Sequence, residues 1–225
     1  MDLSPLFISI KTALLATTIT FFLGLYAARY IRGRQQWQGF LDGVLTLPLV
    51  LPPTVVGFFL LLLLGKNSYI GQLLQQVDIQ VVFSWEATVI AATVVAFPLM
   101  YRTARGAFEQ VDKNYVYAAR TLGMSEEGIF WKIIIALSWP GIAAGAILAF
   151  ARALGEFGAT IMLAGNIPGK TQTMSTAIYS AVQSGDRDTA FIWAFVIILL
   201  SLVIMILMNY WTNRQKNLVG RRSLR

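Results

Sequence analysis

Cysteine and histidine are both absent from the 225 residues. That removes thiol nucleophiles, disulfides, imidazole bases and the usual zinc ligands at once. Charge is scarce as well. Asp, Glu, Lys and Arg make up 13% of the chain, against about 25% in an ordinary soluble domain. No Gly-x-x-x-x-Gly-Lys-Ser/Thr run occurs, so ATP hydrolysis by a phosphate loop of that type is excluded. There is no internal repeat, which argues against the inverted halves of many secondary transporters. There is also no low-complexity linker and no second soluble domain.

What is present is apolar sequence. Hydrophobic residues make up 56% of the chain, too many for a soluble core of this length, and an all-α integral membrane protein is the reading. The net charge is +7. Its basic residues flank apolar runs, so they point to orientation in a bilayer rather than to nucleic acid. The first 30 residues do not read as a signal peptide. Asp2 precedes the lone Lys11, and the basic cluster Arg29, Arg32 and Arg34 follows the apolar run.

A spanning helix needs about 20 mainly apolar residues. Five candidates meet this: about Leu6–Ala28, Val44–Gly65, Val81–Tyr101, Trp139–Ala164 and Ala190–Trp211. Thr171–Ser184 is too short to cross; Met174, Ile178 and Val182 suit a short amphipathic helix at the surface. With the N-terminus outside, the cytosolic segments hold thirteen Lys and Arg: Arg29, Arg32, Arg34, Arg102, Arg105, Lys113, Arg120, Lys132, Arg214, Lys216, Arg221, Arg222 and Arg225. The outer segments hold four, Lys11, Lys66, Lys170 and Arg187. That bias predicts an outer N-terminus, a cytosolic C-terminus and a cytosolic loop over Thr103–Ser138.

This loop is polar and rich in helix formers. Asp112 and Asn114 offer an N-cap before Tyr115–Arg120. Gly123 suits a left-handed residue ending that helix, and Ser125, followed by Glu126 and Glu127, suits the start of the next. Ile129, Phe130, Ile133, Ile134 and Leu137 then form an apolar stripe leading to Trp139-Pro140-Gly141. The expectation is helix, tight turn, helix. By local chemistry alone it is either a docking surface or a plain connection between spans.

Inside the spans, Arg152 and Glu156 are the only charges well away from the ends. Each alone costs about 2.5–3.5 kcal/mol on insertion scales. At a spacing of four they can pair. Two readings follow: a positive potential for a passing anion, or a neutral pair that locks the helix. Thr54, Thr88, Thr93 and Thr160 are hydroxyl candidates for a pathway. Pro48, Pro52 and Pro53 break backbone hydrogen bonding at the start of the second span, and Pro98 does so in the third. Carbonyls freed there must face protein or a water-filled cavity, which gives a hinge or pathway, or else a static kink. Gly141, Gly145 and Ala149 form a close-packing face, within the chain or against another copy.

The residues of the loop resemble a known family. Ala118, Ala119, Gly123 and Ile133 have the spacing of the signature loop in permease subunits of binding-protein-dependent ABC importers. Tyr117 stands where that family often has Glu, and Ile135-Ala136 where it often has Leu-Pro; Pro140-Gly141 is expected to start the following helix instead. Thr46–Gly57 and Ala149–Thr160 look like the molybdate branch of the family, and less closely like its sulfate and tungstate relatives. The likeness runs from about Ile8 to Tyr210. It implies a single permease domain over residues 1–225, with the 103–138 loop as its coupling segment. Ala118, Ala119, Arg120, Thr121, Leu122 and Gly123 would dock on an ATPase subunit. It implies a plasma (inner) membrane protein of a bacterium or archaeon, working with a second copy of itself, two ABC ATPase subunits and an external oxyanion-binding protein. It implies no cofactor in this chain, with ATP and magnesium in the ATPase. Molybdate is the expected cargo, because sulfate permeases of this group are typically longer. Tungstate or sulfate through the same machinery stays open, and a stand-alone secondary anion transporter is the alternative class. A membrane-embedded enzyme is disfavoured, with no His or Cys and Glu156 as the lone buried acid.

Overall fold

The computed structural model describes residues 2–32 and 37–222, with side chains up to Leu207 and at Tyr210. Arg34 and Arg225 of the charge count lie outside the described residues, as do the side chains of Arg214, Lys216, Arg221 and Arg222. Among the described residues the chain is helical and contains no strand. The elements are α1 (Ser4–Arg32), α2 (Gln38–Val50), α3 (Pro53–Leu64), α4 (Tyr69–Gln75), α5 (Trp85–Glu109), α6 (Lys113–Thr121) and α7 (Glu126–Ile129). A π turn (Phe130–Ile134) joins α7 to α8 (Ile135–Leu154), and α9 (Gly158–Leu163), α10 (Met174–Gln183) and α11 (Arg187–Arg222) follow.

Helix α5 is the centre of the molecule, with α1 and α8 packed along it. The facing residues are small. Ala13, Ala16, Thr20, Gly24 and Ala28 recur at helical spacing on α1 and are all buried. A Cβ on Gly24 would meet Met100 Cγ at 2.8 Å. On α8, Gly141 lies against Ala107 and Gly145 against Thr103 and Met100, with Ala149 fully buried. The Gly141–Ala149 face is therefore packed within the chain, against α5. Lipid is as apolar as a leucine side chain, so close backbone approach rather than hydrophobic exclusion holds such helices together. Threonine adds to this: Thr12 on α1 and Thr88 on α5 share a hydrogen bond of 2.8 Å, and Trp85 Nε1 donates to Thr12 at 3.0 Å.

Among the described residues, four helices are long and apolar enough to cross a bilayer: Ser4–Arg32, Trp85–Glu109, Glu126–Leu154 and Arg187–Leu207. The second predicted span is not one straight helix. It is α2 and α3, bent by 109° at the break between them. Pro52 has no N–H to continue α2, and Pro53 takes the first position of α3, where a missing N–H costs nothing. Counting the bent pair as one gives five spans. The third span ends at Glu109 rather than Tyr101, with Pro98 inside it.

The predicted fourth span, Trp139–Ala164, needs correction at both ends. Its helix begins at Glu126, so Pro140 lies inside the helix and does not start it. The helix stops at Leu154, and Ala159–Thr160 belong to the separate short α9. Helix α10 forms as predicted, but its Met174, Ala177 and Ala181 face is buried. It is capped onto α1 through Met174 N–H donating to Ser9 Oγ at 2.8 Å, so it is an integrated element, not a surface one. The Gly165–Thr171 run comes within one residue of phosphate-loop spacing, but it lies in a loop between helices, and no strand precedes it among the described residues.

Candidate functional site

The predicted hairpin forms. Asp112 caps α6 by accepting the Asn114 N–H at 2.9 Å. The helix ends on Gly123, whose φ of +76° is the left-handed region. There Gly123 N–H donates to Arg120 O at 2.9 Å and Met124 N–H to Ala119 O at 3.1 Å. This pair of bonds is the Schellman closure, and it satisfies carbonyls that the helix end would otherwise leave bare. Ser125 caps α7, accepting the Gly128 N–H at 3.2 Å. Sequence-local chemistry alone thus builds both ends of the turn.

Two exposed ion pairs lie on the hairpin. Arg120 engages Glu126 through two contacts, Nε to Oε1 at 2.6 Å and Nη2 to Oε2 at 3.0 Å. The Glu126 carboxylate raises the Arg120 guanidinium above its ordinary pKa by that hydrogen bond. Arg29 of α1 reaches Glu127 at 2.6 Å, with its guanidinium 4.4 Å above the Phe130 ring. Val116 and Ala119 point inward and are buried. Tyr115, Tyr117, Ala118, Arg120, Thr121 and Leu122 point outward, with Leu122 82% exposed. The hairpin therefore pairs Glu126 and Glu127 with arginines and exposes Tyr115, Tyr117 and Leu122 beside them. Of the six residues assigned to docking, Ala119 is packing; Ala118, Arg120, Thr121, Leu122 and Gly123 are accessible.

The second cluster surrounds the bend. Arg152 Nη1 lies 2.6 Å from Glu156 Oε2. Glu156 sits in the break after α8, not on the helix, and is 2% exposed. Its other oxygen, Oε1, accepts the Ala159 N–H at 2.8 Å and so caps α9. Glu156 thus binds a cation and a helix start with one carboxylate. Helix α9 in turn crosses α3 at backbone distance: a Cβ on Gly57 would meet Ala159 Cα at 2.7 Å. Pro53 and Thr54 pack against Gly158 at the same crossing. The structure therefore gathers Pro52, Pro53, Thr54, Glu156 and Arg152 around one bend.

The remaining hydroxyls divide. Thr160 is buried on α9. Thr93 has a buried Oγ1 with no hydrogen-bond partner in the structure. Thr88 is committed elsewhere, bonded to Thr12 and to Trp85 O. Pro48 and Pro98 lie inside α2 and α5.

One cluster was not foreseen. Asp42 of α2 is hydrogen-bonded to both Tyr101 and Arg105 of α5. The only sequence signal was Asp42 itself, the sole acidic residue between Asp2 and Asp78. Its partners are about 60 residues away, so no local pattern names them.

A central helix, three further crossing helices, a sharply bent fifth and a capped hairpin at one end define a multi-pass, all-helical membrane protein. The chain belongs to the family of binding-protein-dependent transport system inner membrane components, matched over residues 20–217. It is 41% identical to the molybdenum transport system permease protein ModB of Escherichia coli K12, covering 92% of this chain and 91% of that one. It is 39% identical to the protein of the same name from Haemophilus influenzae, covering 98% of each. A solved structure of the MetNI methionine ABC transporter, in inward-facing conformations, shares the fold with a TM-score of 0.74 at 12% identity, covering 93% of this chain and 94% of that one.

Proposed function

We propose that this chain is the membrane subunit of an ATP-driven importer that takes up molybdate, with ATP hydrolysed in a separate subunit. The observation that carries the coupling half of this reading is the capped hairpin of α6 and α7 with its exposed aromatic and apolar side chains. A plain connection between spans has no need to expose Tyr115, Tyr117 and Leu122 while pairing Glu126 and Glu127 with arginines. Two ATPase subunits, a second copy of this chain and an external oxyanion-binding protein complete the assembly. The family match and the two ModB relatives support the transport class and the cargo.

The charge asymmetry supports an orientation with the N-terminus outside and the hairpin in the cytosol, in the inner membrane of a bacterium or archaeon. The Arg29–Glu127 contact is consistent with it, since it joins the basic end of α1 to the hairpin. Closure of the ATPase pair would move the hairpin, and the α7–α8 helix would carry that motion to the bend, where the pathway runs past Arg152 and Thr54. Transmission of this kind needs two discrete arrangements that both sites bias.

The test is Gly123→Val in the assembled complex in proteoliposomes. There is open space around Gly123, so the substitution acts through φ alone. A left-handed residue costs about 1–2 kcal/mol without glycine, and β-branching adds to that. ATP hydrolysis is expected to persist while molybdate uptake falls, and Gly123→Asn is expected to keep both. Normal uptake by a normally assembled Val variant would refute the coupling assignment. Competition with tungstate and sulfate checks the cargo.

A further inference from the structure

We propose that Asp42, Tyr101 and Arg105 form a releasable clasp that positions the α2 arm of the bent span and opens during transport; this rests on the transporter reading above. The case begins with how little else holds α2. None of its residues is buried, and its packing is through the half-buried Leu41 and Leu45 against the core. Its neighbours are α5 and, to a lesser extent, α1. At its far end the chain turns by 109° into α3, where Pro52 removes a backbone hydrogen bond. Helix α3, by contrast, is locked to α9 at backbone contact. The bent span therefore has a fixed arm and a loosely held one.

The clasp is built to open without stranding a charge. Arg105 has two acidic partners: Asp42 from α2, and Glu109 on its own helix at 2.7 Å. If α2 leaves, Arg105 keeps Glu109. Asp42 is already 27% exposed and Arg105 20%, so neither is sealed in the interior. A pair of this kind is exchanged far more readily than a buried one, whose rupture leaves an uncompensated charge. The interface also has room to change: an open cleft of about 400 Å³ lies beside the contact, lined by Asp42, Thr46, Tyr101, Arg102, Arg105 and Glu109.

The chain has no native cysteine, so a reversible tether tests this directly. Asp42→Cys with Arg105→Cys would be joined by a short bis-methanethiosulfonate in the complete complex in proteoliposomes. Thr46→Cys with Arg102→Cys spans the same cleft with the clasp intact, and covers the case in which the first pair fails to assemble. Uptake is expected to fall at least ten-fold on tethering and to return on reduction, each complex serving as its own reference. Each single-cysteine variant, treated alike, is expected to show the same uptake before and after the reagent, whatever its own starting level. Equal uptake in the tethered and reduced states would overturn the clasp, because α2 would then stay fixed to α5 throughout the cycle. Absence of ATP-driven oxyanion uptake by the unaltered complex would instead overturn the transporter reading, and the clasp with it.

Discussion

Glu156 supports two structures with one carboxylate, and the cost of removing it can be worked out from its contacts. Substitution by Ala deletes the acceptor for Ala159 N–H, a helix-cap loss of about 1 kcal/mol. It also strips Arg152 of its partner. An unpaired arginine at a helix centre costs about 2.5–3.5 kcal/mol on insertion scales. Arg152 retains 29% exposure, which takes that contribution toward about 2 kcal/mol. The sum is about 3 kcal/mol for Glu156→Ala. Glu156→Gln keeps an oxygen for Ala159 N–H and loses only the charge, so about 2 kcal/mol. Replacing both charges, with Arg152→Met and Glu156→Gln together, removes the orphan and is expected to recover most of the loss. For a chain of this size about 1 kcal/mol moves the melting temperature by about 2–4 °C. Glu156→Ala should therefore melt about 6–12 °C below the parent, Gln less far below, and the double variant closest to it. Tryptophan fluorescence of the complex in detergent reads this. A Glu156→Ala variant melting with the parent, or a double variant no better than its worse single, would refute the account of Glu156 as the group that neutralises Arg152.

Three further outcomes follow from the same structure. Gly57→Val places a side chain where Ala159 backbone atoms already lie, and should destabilise by about 1–3 kcal/mol; Gly39→Ala, with open space around it, should be neutral or slightly stabilising in the same melt. Asp112→Ala should lower stability by about 1 kcal/mol through loss of the α6 cap, and Asp112→Asn should not. Arg120→Ala should change stability little, because the Arg120–Glu126 pair is solvent-exposed, and raising the salt should erase whatever difference remains.

The local features were legible because their causes are local. Asp112, Gly123 and Ser125 each act on backbone groups within a few residues, so capping rules alone place both ends of the hairpin. The Arg152–Glu156 pairing was legible for the same reason. The end of the fourth span was not. Its apolar run continues through Gly155-Glu156-Phe157-Gly158 to Ala164, and hydropathy does not register a break at Gly155–Phe157 that holds an acid paired with Arg152. The prolines marked the second span as interruptible, but its 109° turn depends on α9 being packed under α3. Least legible was Asp42. Its contact with Arg105 is a product of how α2 leans on α5, and the sequence between them contains no trace of it.

The π turn at Phe130–Ile134 sets the rotational phase of the hairpin. The residues that point inward along this helix include Phe130, Ile134, Ser138 and Ile142, spaced by four. In a pure α-helix each step of four overshoots a full turn by about 40°, so such a row would wind off its neighbour within three steps. A single wider turn takes up the excess, and the row stays on one side; Ile135 N–H bonds back to Phe130 O across it. Deleting one residue there would restore ordinary winding and swing α6, with Tyr117 and Leu122, by about 100° around the axis of α8. The direction in which the exposed face of the hairpin looks is thus written into the span by one extra residue.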